Sequence, residues 1–272
     1  MIANKTLSIA VMSGKGGVGK TNIALNLSYA LSALNHPLLL VDCDLGLANL
    51  DVLLGRAPSH TLQDMILHGM RAHEVIMQLS NRFFFLPAAS GVPQLSELDE
   101  DMLTLLVERL TPTLPGFDFA FFDCGAGVSP MVLAFACMVH VRVIVVTPEP
   151  SSLTDSYALM KILHSQYRVR TFHIVVNQVE NAKEETITFQ RLSSACSRFL
   201  GFSPVLLGSI RQDKAIPEAV RRQKPLLELT RTSPAARGLQ DAAARLEKLR
   251  SNLLPMIGDA PLYIPGQYNP SF

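Results

Sequence analysis

The densest chemistry in the chain lies in one octapeptide, Gly14-Lys15-Gly16-Gly17-Val18-Gly19-Lys20-Thr21. It satisfies the pattern Gly-x4-Gly-Lys-Ser/Thr and stands between a short apolar run and a stretch of helical period, the strand–loop–helix setting of a phosphate-binding loop. Glycines let successive backbone N–H groups close around phosphate oxygens, and the following helix presents its positive N-terminus to the same anion. Lys20 would reach the outer phosphates, and Thr21 would offer a hydroxyl to Mg²⁺. A glycine-rich turn without chemical meaning is the competing reading. The presence of both flanking elements disfavours it.

Two further constellations follow apolar runs in the same way: Asp42-Cys43-Asp44 and Asp123-Cys124-Gly125. In a doubly wound sheet, ligands gather at the carboxyl ends of strands, so these carboxylates can face the same phosphates. Each aspartate alone could be a loop cap; joint placement just past successive strands favours a shared site. Cys43 and Cys124 would flank the phosphates, as reactive or cluster-binding residues or as small buried ones. The second reading is favoured because a free cysteine packs as a small hydrophobe. Asn177 closes another apolar run, and Arg211 and Asp213 close a further one.

These groups need elements to hold them. Short apolar runs at 7–12, 38–41, 83–86, 117–122, 141–147, 171–176 and 205–210 alternate with helical periods at 20–34, 99–110, 129–138, 152–166, 183–200 and 234–254. Strand–helix alternation predicts an α/β fold, with a doubly wound, mainly parallel sheet and helices on both faces. The 272 residues, 48% of them hydrophobic, suit one large core. No linker or repeat divides the chain, so residues 1–254 are expected to form one P-loop NTPase domain. Residues 255–272, with Pro255, Pro261, Pro265 and Pro270, form a loosely held tail that Tyr263, Ile264 and Tyr268 could dock.

Composition narrows the function classes. With 24 basic and 23 acidic residues, no global field draws the molecule onto nucleic acid or anionic lipid. The four cysteines, at 43, 124, 137 and 196, show neither Cys-x-x-Cys pairs nor disulfide spacing, which fits a reducing cytosol. Met1 to Thr6 run straight into an apolar strand, so no leader is expected, and no run approaches the about 18 apolar residues of a membrane span. The scattered histidines read as structural, since His68 and His73 lack metal-ligand spacing.

The second lysine in Lys15-Gly16-Gly17-Val18-Gly19-Lys20-Thr21 resembles the deviant Walker A motif of the MinD/ParA superfamily. That resemblance implies an ATPase that dimerises with ATP, Lys15 crossing to the partner's phosphates, against the alternative of a lysine acting within its own subunit. It further implies that Asp44 positions the attacking water, that Asp42 and Asp123 support Mg²⁺ through its waters, and that Asn177 bonds the adenine. Gly208 to Asp213 is similar to the superfamily's adenine loop, with Arg211 in place of proline. A guanidinium there would either stack on the base or point to solvent. Asp213 is a site residue on the same resemblance.

Longer blocks, Asp44 to Gly55, Pro87 to Gly91, Thr147 to Lys161, Ala219 to Pro225 and Ser233 to Ala236, resemble the flagellar-number regulators FleN and FlhG. What this implies is a cytoplasmic switch, polar or peripheral at the inner membrane. Its partners would be a flagellar transcription activator, the flagellar signal-recognition-type GTPase and switch-complex proteins. Two alternatives stand beside it. A ParA-like partition role would need Arg221, Arg222 and Lys224, with Arg231 and Arg237, to form a DNA patch, which the balanced charge argues against as the main contact. MinD-like membrane docking would use the last helix, whose Leu239, Ala242, Ala243, Leu246, Leu249, Leu253 and Leu254 lie at helical spacing. Its mixed charge and lack of Trp or Phe fit core packing better.

Overall fold

The computed structural model describes residues 5–44, 48–89, 100–257 and 262. Their strands are β1 Leu7–Ser13, β2 Leu38–Cys43, β3 Met77–Ser80, β4 Phe83–Leu86, β5 Phe119–Ala126, β6 Val141–Val146, β7 His173–Val179 and β8 Val205–Arg211. The helices are α1 Lys20–Ala33, α2 Leu50–Leu53, α3 Leu62–Leu67, α4 Ala72–Val75, α5 Glu100–Leu110 and α6 Pro130–Met138. They continue as α7 Pro150–Tyr167, α8 Ala182–Leu200, α9 Ala215–Arg221, α10 Leu226–Leu229 and α11 Pro234–Leu253.

One sheet runs in the order β3-β4-β2-β5-β1-β6-β7-β8. Every neighbouring pair is parallel except β3 with β4 at the edge. The chain winds outward from β1 in both directions, so the loop after β1 lies at the topological switch point where such sheets bind ligands. Sequence reading missed β3. Its alternation of half-buried Met77 and Leu79 with exposed Gln78 and Ser80 belongs to an antiparallel edge strand, and four residues are too few to announce a period.

Period-2 alternation divides the strands between two cores. Leu7, Ile9, Val11, Leu38, Leu40, Phe119 and Phe121 pack with Ile23, Leu27 and Leu31 of α1 and Leu239 and Leu246 of α11. On the opposite face, Ala10, Met12, Leu39, Val41, Ala120 and Phe122 pack with α5, α6, α7 and α8 through Leu106, Phe135, Leu163 and Leu192. Each fully buried Leu, Ile or Phe side chain contributes about 1.5–3 kcal/mol, which makes the carboxyl ends of the strands a firm platform.

The apolar face of α11 is committed to this interior: Ala235, Ala236, Leu239, Ala242, Ala243 and Leu246 are buried. Among the described residues, no helix is long and apolar enough to cross a membrane. Leu45 to Leu47, Ser90 and Gly91, and the tail side chains Tyr263, Ile264 and Tyr268 lie outside the described residues. Leu262 is buried in the α5–α8 core.

Candidate nucleotide site

The glycine-rich loop is shaped by contacts that exclude side chains. A Cβ on Gly14 would stand 2.2 Å from the carbonyl carbon of Asp155, so the loop rests directly on the backbone of α7. Gly19, at φ +86°, opens α1 from the left-handed region, and a Cβ there would meet Asn177 Nδ2 at 2.5 Å. In front of Gly16 and Gly17 nothing stands within 4 Å of the corresponding position. That opening is where a phosphate chain would lie. Ser13 and Asn177 clasp the loop from behind: Ser13 Oγ donates to the Lys15 carbonyl at 2.9 Å and Asn177 Nδ2 to the Val18 carbonyl at 2.8 Å.

Lys20 is almost wholly buried, its Nζ 2.8 Å from Asp123 Oδ1 and 3.3 Å from Thr21 Oγ1. Burial works against its ammonium, yet the Asp123 carboxylate more than offsets this and holds the lysine pKa above its ordinary value. Asp42 and Asp123 are paired across β2 and β5. Here the structure corrects the expectation that both aspartates lie just past their strands. β2 runs to Cys43 and β5 to Ala126, because the parallel ladder keeps pairing through polar residues that a sequence reads as loop. Burial, then the charge of Asp123, pushes the Asp42 pKa up to about 7, against N–H donation from Asp44 and Leu50. Those two bonds, to Oδ1 at 3.1 Å and Oδ2 at 3.3 Å, let Asp42 bracket both ends of the segment after β2. The Asp44 carboxylate lies over Gly125, its Oδ1 3.6 Å from where a Cβ would stand there.

Lys20, Thr21, Asp44, Gly16 and Gly125 all line one cavity of about 640 Å³. A second cleft of about 510 Å³, lined by Gly19, Asn177, Arg211, Asp213 and Pro217, continues on the other side of the loop. Two lobes sharing Gly19 suit a ligand with a phosphate chain and a flat base.

Arg211 lines the second cleft but sends its Nη1 to the Glu180 carbonyl at 3.2 Å, tying β8 to the turn after β7. The Asp213 carboxylate accepts N–H groups from Ala215 at 2.9 Å and Ala235 at 3.1 Å, fastening the cleft's rim to the start of α11. Partial burial opposes its charge, but these N–H groups and the Ser233 hydroxyl keep its pKa below the ordinary value.

Lys15 does not turn into its own loop. Its Nζ reaches outward to Glu149 Oε2 at 2.5 Å and Ser151 Oγ at 3.0 Å, at the start of α7.

Residues 9–226 match the CobQ/CobB/MinD/ParA nucleotide binding domain family. The chain belongs to that family. It is 33% identical to the antiactivator FleN of Pseudomonas aeruginosa, over 88% of this chain and 85% of that protein. Identity to the flagellum site-determining protein YlxH of Helicobacter pylori is 31%, over 92% and 85%. The fold superposes on the septum site-determining protein MinD complexed with Mg-ADP from Pyrococcus horikoshii with a TM-score of 0.76, at 25% identity and covering 93% and 100% of the two chains.

Within this MinD/ParA framework Gly16, Gly17, Gly19, Lys20, Thr21 and Asp44 line one lobe, with Asp123 reaching it through Lys20 and Asp42 through the Asp44 N–H, while Asn177, Arg211 and Asp213 line the other. Gly14 and Val18 lie against Asp155 and Asn177 rather than in the cavity wall. Sequence reading assigned no role to Glu149 and Ser151. Both fell inside the Thr147–Lys161 block and at a Glu-Pro-Ser step beginning a helix, but the 134 positions separating Glu149 from Lys15 hid the contact. The basic cluster at the end of α9 is partly compensated, three cations sharing two carboxylates. Arg221 and Arg222 both pair with Glu218, and Lys224 pairs with Glu228.

Proposed function

We propose that this chain is a switch ATPase, monomeric when empty or bound to ADP and dimeric with ATP, that regulates flagellar number and placement. The observation that carries the reading is the division of labour between two lysines. Lys20 is buried with Asp123 inside its own cradle, whereas Lys15 stands at the lip and points away from it. A cation so placed suits delivery to a second subunit's phosphates, where charge neutralisation in trans would make hydrolysis wait for dimerisation.

The residues present fit nucleotide and Mg²⁺. Asp123 keeps Oδ2 buried without a hydrogen-bond partner, and the space before Gly16 and Gly17 is open. Thr21 would hold Mg²⁺ directly and Asp42 and Asp123 through its waters, the ion neutralising charge on the outer phosphates. Lys20 exchanges Asp123 for phosphate oxygens when nucleotide enters. Asp44, over Gly125, orients the attacking water; positioning without a strong base is enough for phosphoryl transfer, and turnover is slow. Asn177 bonds the base, with Arg211 and Asp213 shaping the cleft that receives it.

The flagellar role rests on the likeness to FleN and YlxH. An antiactivator acts against an activator, so a flagellar transcription activator is the first partner proposed, with the flagellar signal-recognition-type GTPase and switch-complex proteins after it. The setting is the cytoplasm, with recruitment to the pole or inner membrane. Partition on DNA draws little support from a cluster in which Arg221, Arg222 and Lys224 already share Glu218 and Glu228, and docking through α11 draws none from a face already packed. Size-exclusion chromatography with ATP and Mg²⁺ is the test: a monomer–dimer shift that ADP does not produce supports the switch, and a monomer in both refutes it.

A further inference from the structure

α9 ends in a turn that ordinarily asks for glycine. Gln223 N–H donates to the Val220 carbonyl at 3.0 Å and Lys224 N–H to the Ala219 carbonyl at 3.1 Å, a paired closure that sets residue 223 in the left-handed region, at φ +54°. Glycine adopts that conformation freely, whereas a β-carbon there is strained. Closing the helix therefore does not account for a glutamine. Strain of this kind persists where the side chain has other work.

That work lies across the mouth of the phosphate lobe. Gln223 Nε2 donates to the Val52 carbonyl, in the last turn of α2, at 2.9 Å. Its stem rests on Gly55, itself at φ +59°, where a Cβ would stand 3.1 Å from Gln223 Oε1 and 3.2 Å from Gln223 Cβ. Two blocks singled out in the sequence, Asp44 to Gly55 and Ala219 to Pro225, thus meet through one side chain over a separation of 171 positions.

Both ends of this bridge lead to the phosphates. Val220 of α9, with Asn49 and Leu53 at the two ends of α2, lines the cavity that holds Lys20 and Asp44. α2 begins at Leu50, whose N–H donates to Asp42 Oδ2, while the other oxygen of the same carboxylate takes the Asp44 N–H. α2 and Asp44 therefore share one anchor. α9 is the fixed side of the bridge: Ala219 is buried, and Asp213 takes the Ala215 N–H at the start of α9 while also holding α11.

We infer that Gln223 is a positioning residue for ATP hydrolysis, latching α2 to α9 and thereby keeping Asp44 in place over Gly125. The inference rests on the ATPase reading above, in which Asp44 orients the attacking water. Nucleotide binding draws on the glycine loop, Lys20 and Thr21, which the latch does not touch. Its effect falls on turnover and spares affinity.

The test sets Gln223→Gly and Gln223→Glu beside the parent, all as full chains, in ATP hydrolysis, ADP binding, urea unfolding and amide hydrogen exchange. Glycine removes the latch yet suits the left-handed turn, so the urea midpoint should stay near the parent's. Glutamate keeps a stem over Gly55 but offers Val52 no N–H. Both variants should lower kcat about two- to tenfold, the scale of one neutral hydrogen bond, with the ADP dissociation constant unchanged. The Leu54 and Gly55 N–H groups, which donate to the Leu50 and Val52 carbonyls, should exchange faster by a similar factor. Parental kcat in either variant, a fall in kcat matched by a fall in urea midpoint or ADP affinity, or unchanged exchange at Leu54 and Gly55 overturns the latch. A parent that turns over no ATP refutes the ATPase reading and with it a role in hydrolysis, while exchange at Leu54 and Gly55 still reports whether Gln223 holds α2.

Discussion

Lys15 Nζ and Glu149 Oε2 close an ion pair of 2.5 Å across the lip of the cradle, with Ser151 Oγ completing the grip. In the proposed switch, this contact within one subunit would compete with a partner's phosphate for the same ammonium. The two side chains are 38% and 59% exposed, so the pair is worth about 0.2–1 kcal/mol. Glu149→Gln should therefore lower the ATP concentration needed for half-maximal dimerisation by at most about fivefold, with the melting temperature unchanged. Sedimentation velocity over an ATP series checks this, and a raised ATP requirement would show that Glu149 aids the dimer instead.

Lys20 and Asp123 present the opposite case, because their pair is shielded from solvent. Lys20→Ala leaves a buried carboxylate beside Asp42 with no cation, a loss of about 3–5 kcal/mol in comparable buried pairs. The variant should bind no ATP and unfold at clearly lower denaturant than the parent. Fluorescent-nucleotide titration and urea unfolding measure the two effects separately.

Asp44 lies at the cavity wall rather than in the buried pair, so its removal should spare binding. Asp44→Ala is expected to retain ATP, accumulate as a dimer and hydrolyse roughly 100-fold more slowly or worse, the scale of loss when a positioning group is removed. Phosphate release combined with size exclusion tests it. A variant that binds ATP yet stays monomeric would refute the switch as drawn.

His173 supplies a pH signature remote from the chemistry. Burial, reinforced by the Arg142 charge, lowers its pKa from the ordinary 6.5 to about 4. A depressed pKa means the unfolded chain binds the proton more readily. The stabilisation from neutral His173 is therefore complete above about pH 6.5 and is lost as pH falls toward 4, by up to about 1.4 kcal/mol per pH unit. His173→Gln should flatten the fall in urea stability between pH 7 and 5 relative to the parent. An identical pH slope in both proteins would place the histidine in solvent.

Asp213 fastens the rim of the second cleft to α11 through two backbone N–H groups. Asp213→Ala should cost about 1–3 kcal/mol, since charged acceptors make the stronger hydrogen bonds, and should weaken nucleotide binding. Asp213→Asn, which keeps one acceptor oxygen, should recover part of both. Calorimetric titration with ADP beside thermal unfolding provides the comparison.

Much of this protein was legible in local pattern. The phosphate loop needs glycines, a lysine and a threonine at set spacing, and contiguous spacing survives in one dimension. The continuous apolar runs of β1, β2, β5 and β6 announced a sheet buried on both faces, since only strands covered from two sides lack polar alternation. The long helices α1, α7, α8 and α11 showed their period for the same reason of burial. Short elements carried no such period: β3, α2, α3, α4, α9 and α10 are seven residues or fewer, and where a local signal exists it is a cap, as with Thr61 and Asp64 at the start of α3.

Only the folded chain decided which distant groups meet. The sequence placed Lys15, Asp42 and Asp123 at positions suited to phosphate chemistry and Asp213 in a segment resembling an adenine loop. Tertiary structure decided that Lys15 takes Glu149, that Asp42 and Asp123 face each other inside paired strands, and that Asp213 holds a helix to the cleft. The reason is physical. A loop or helix is specified by neighbours within a few residues, whereas strand register and ion-pair choice depend on which elements burial brings side by side.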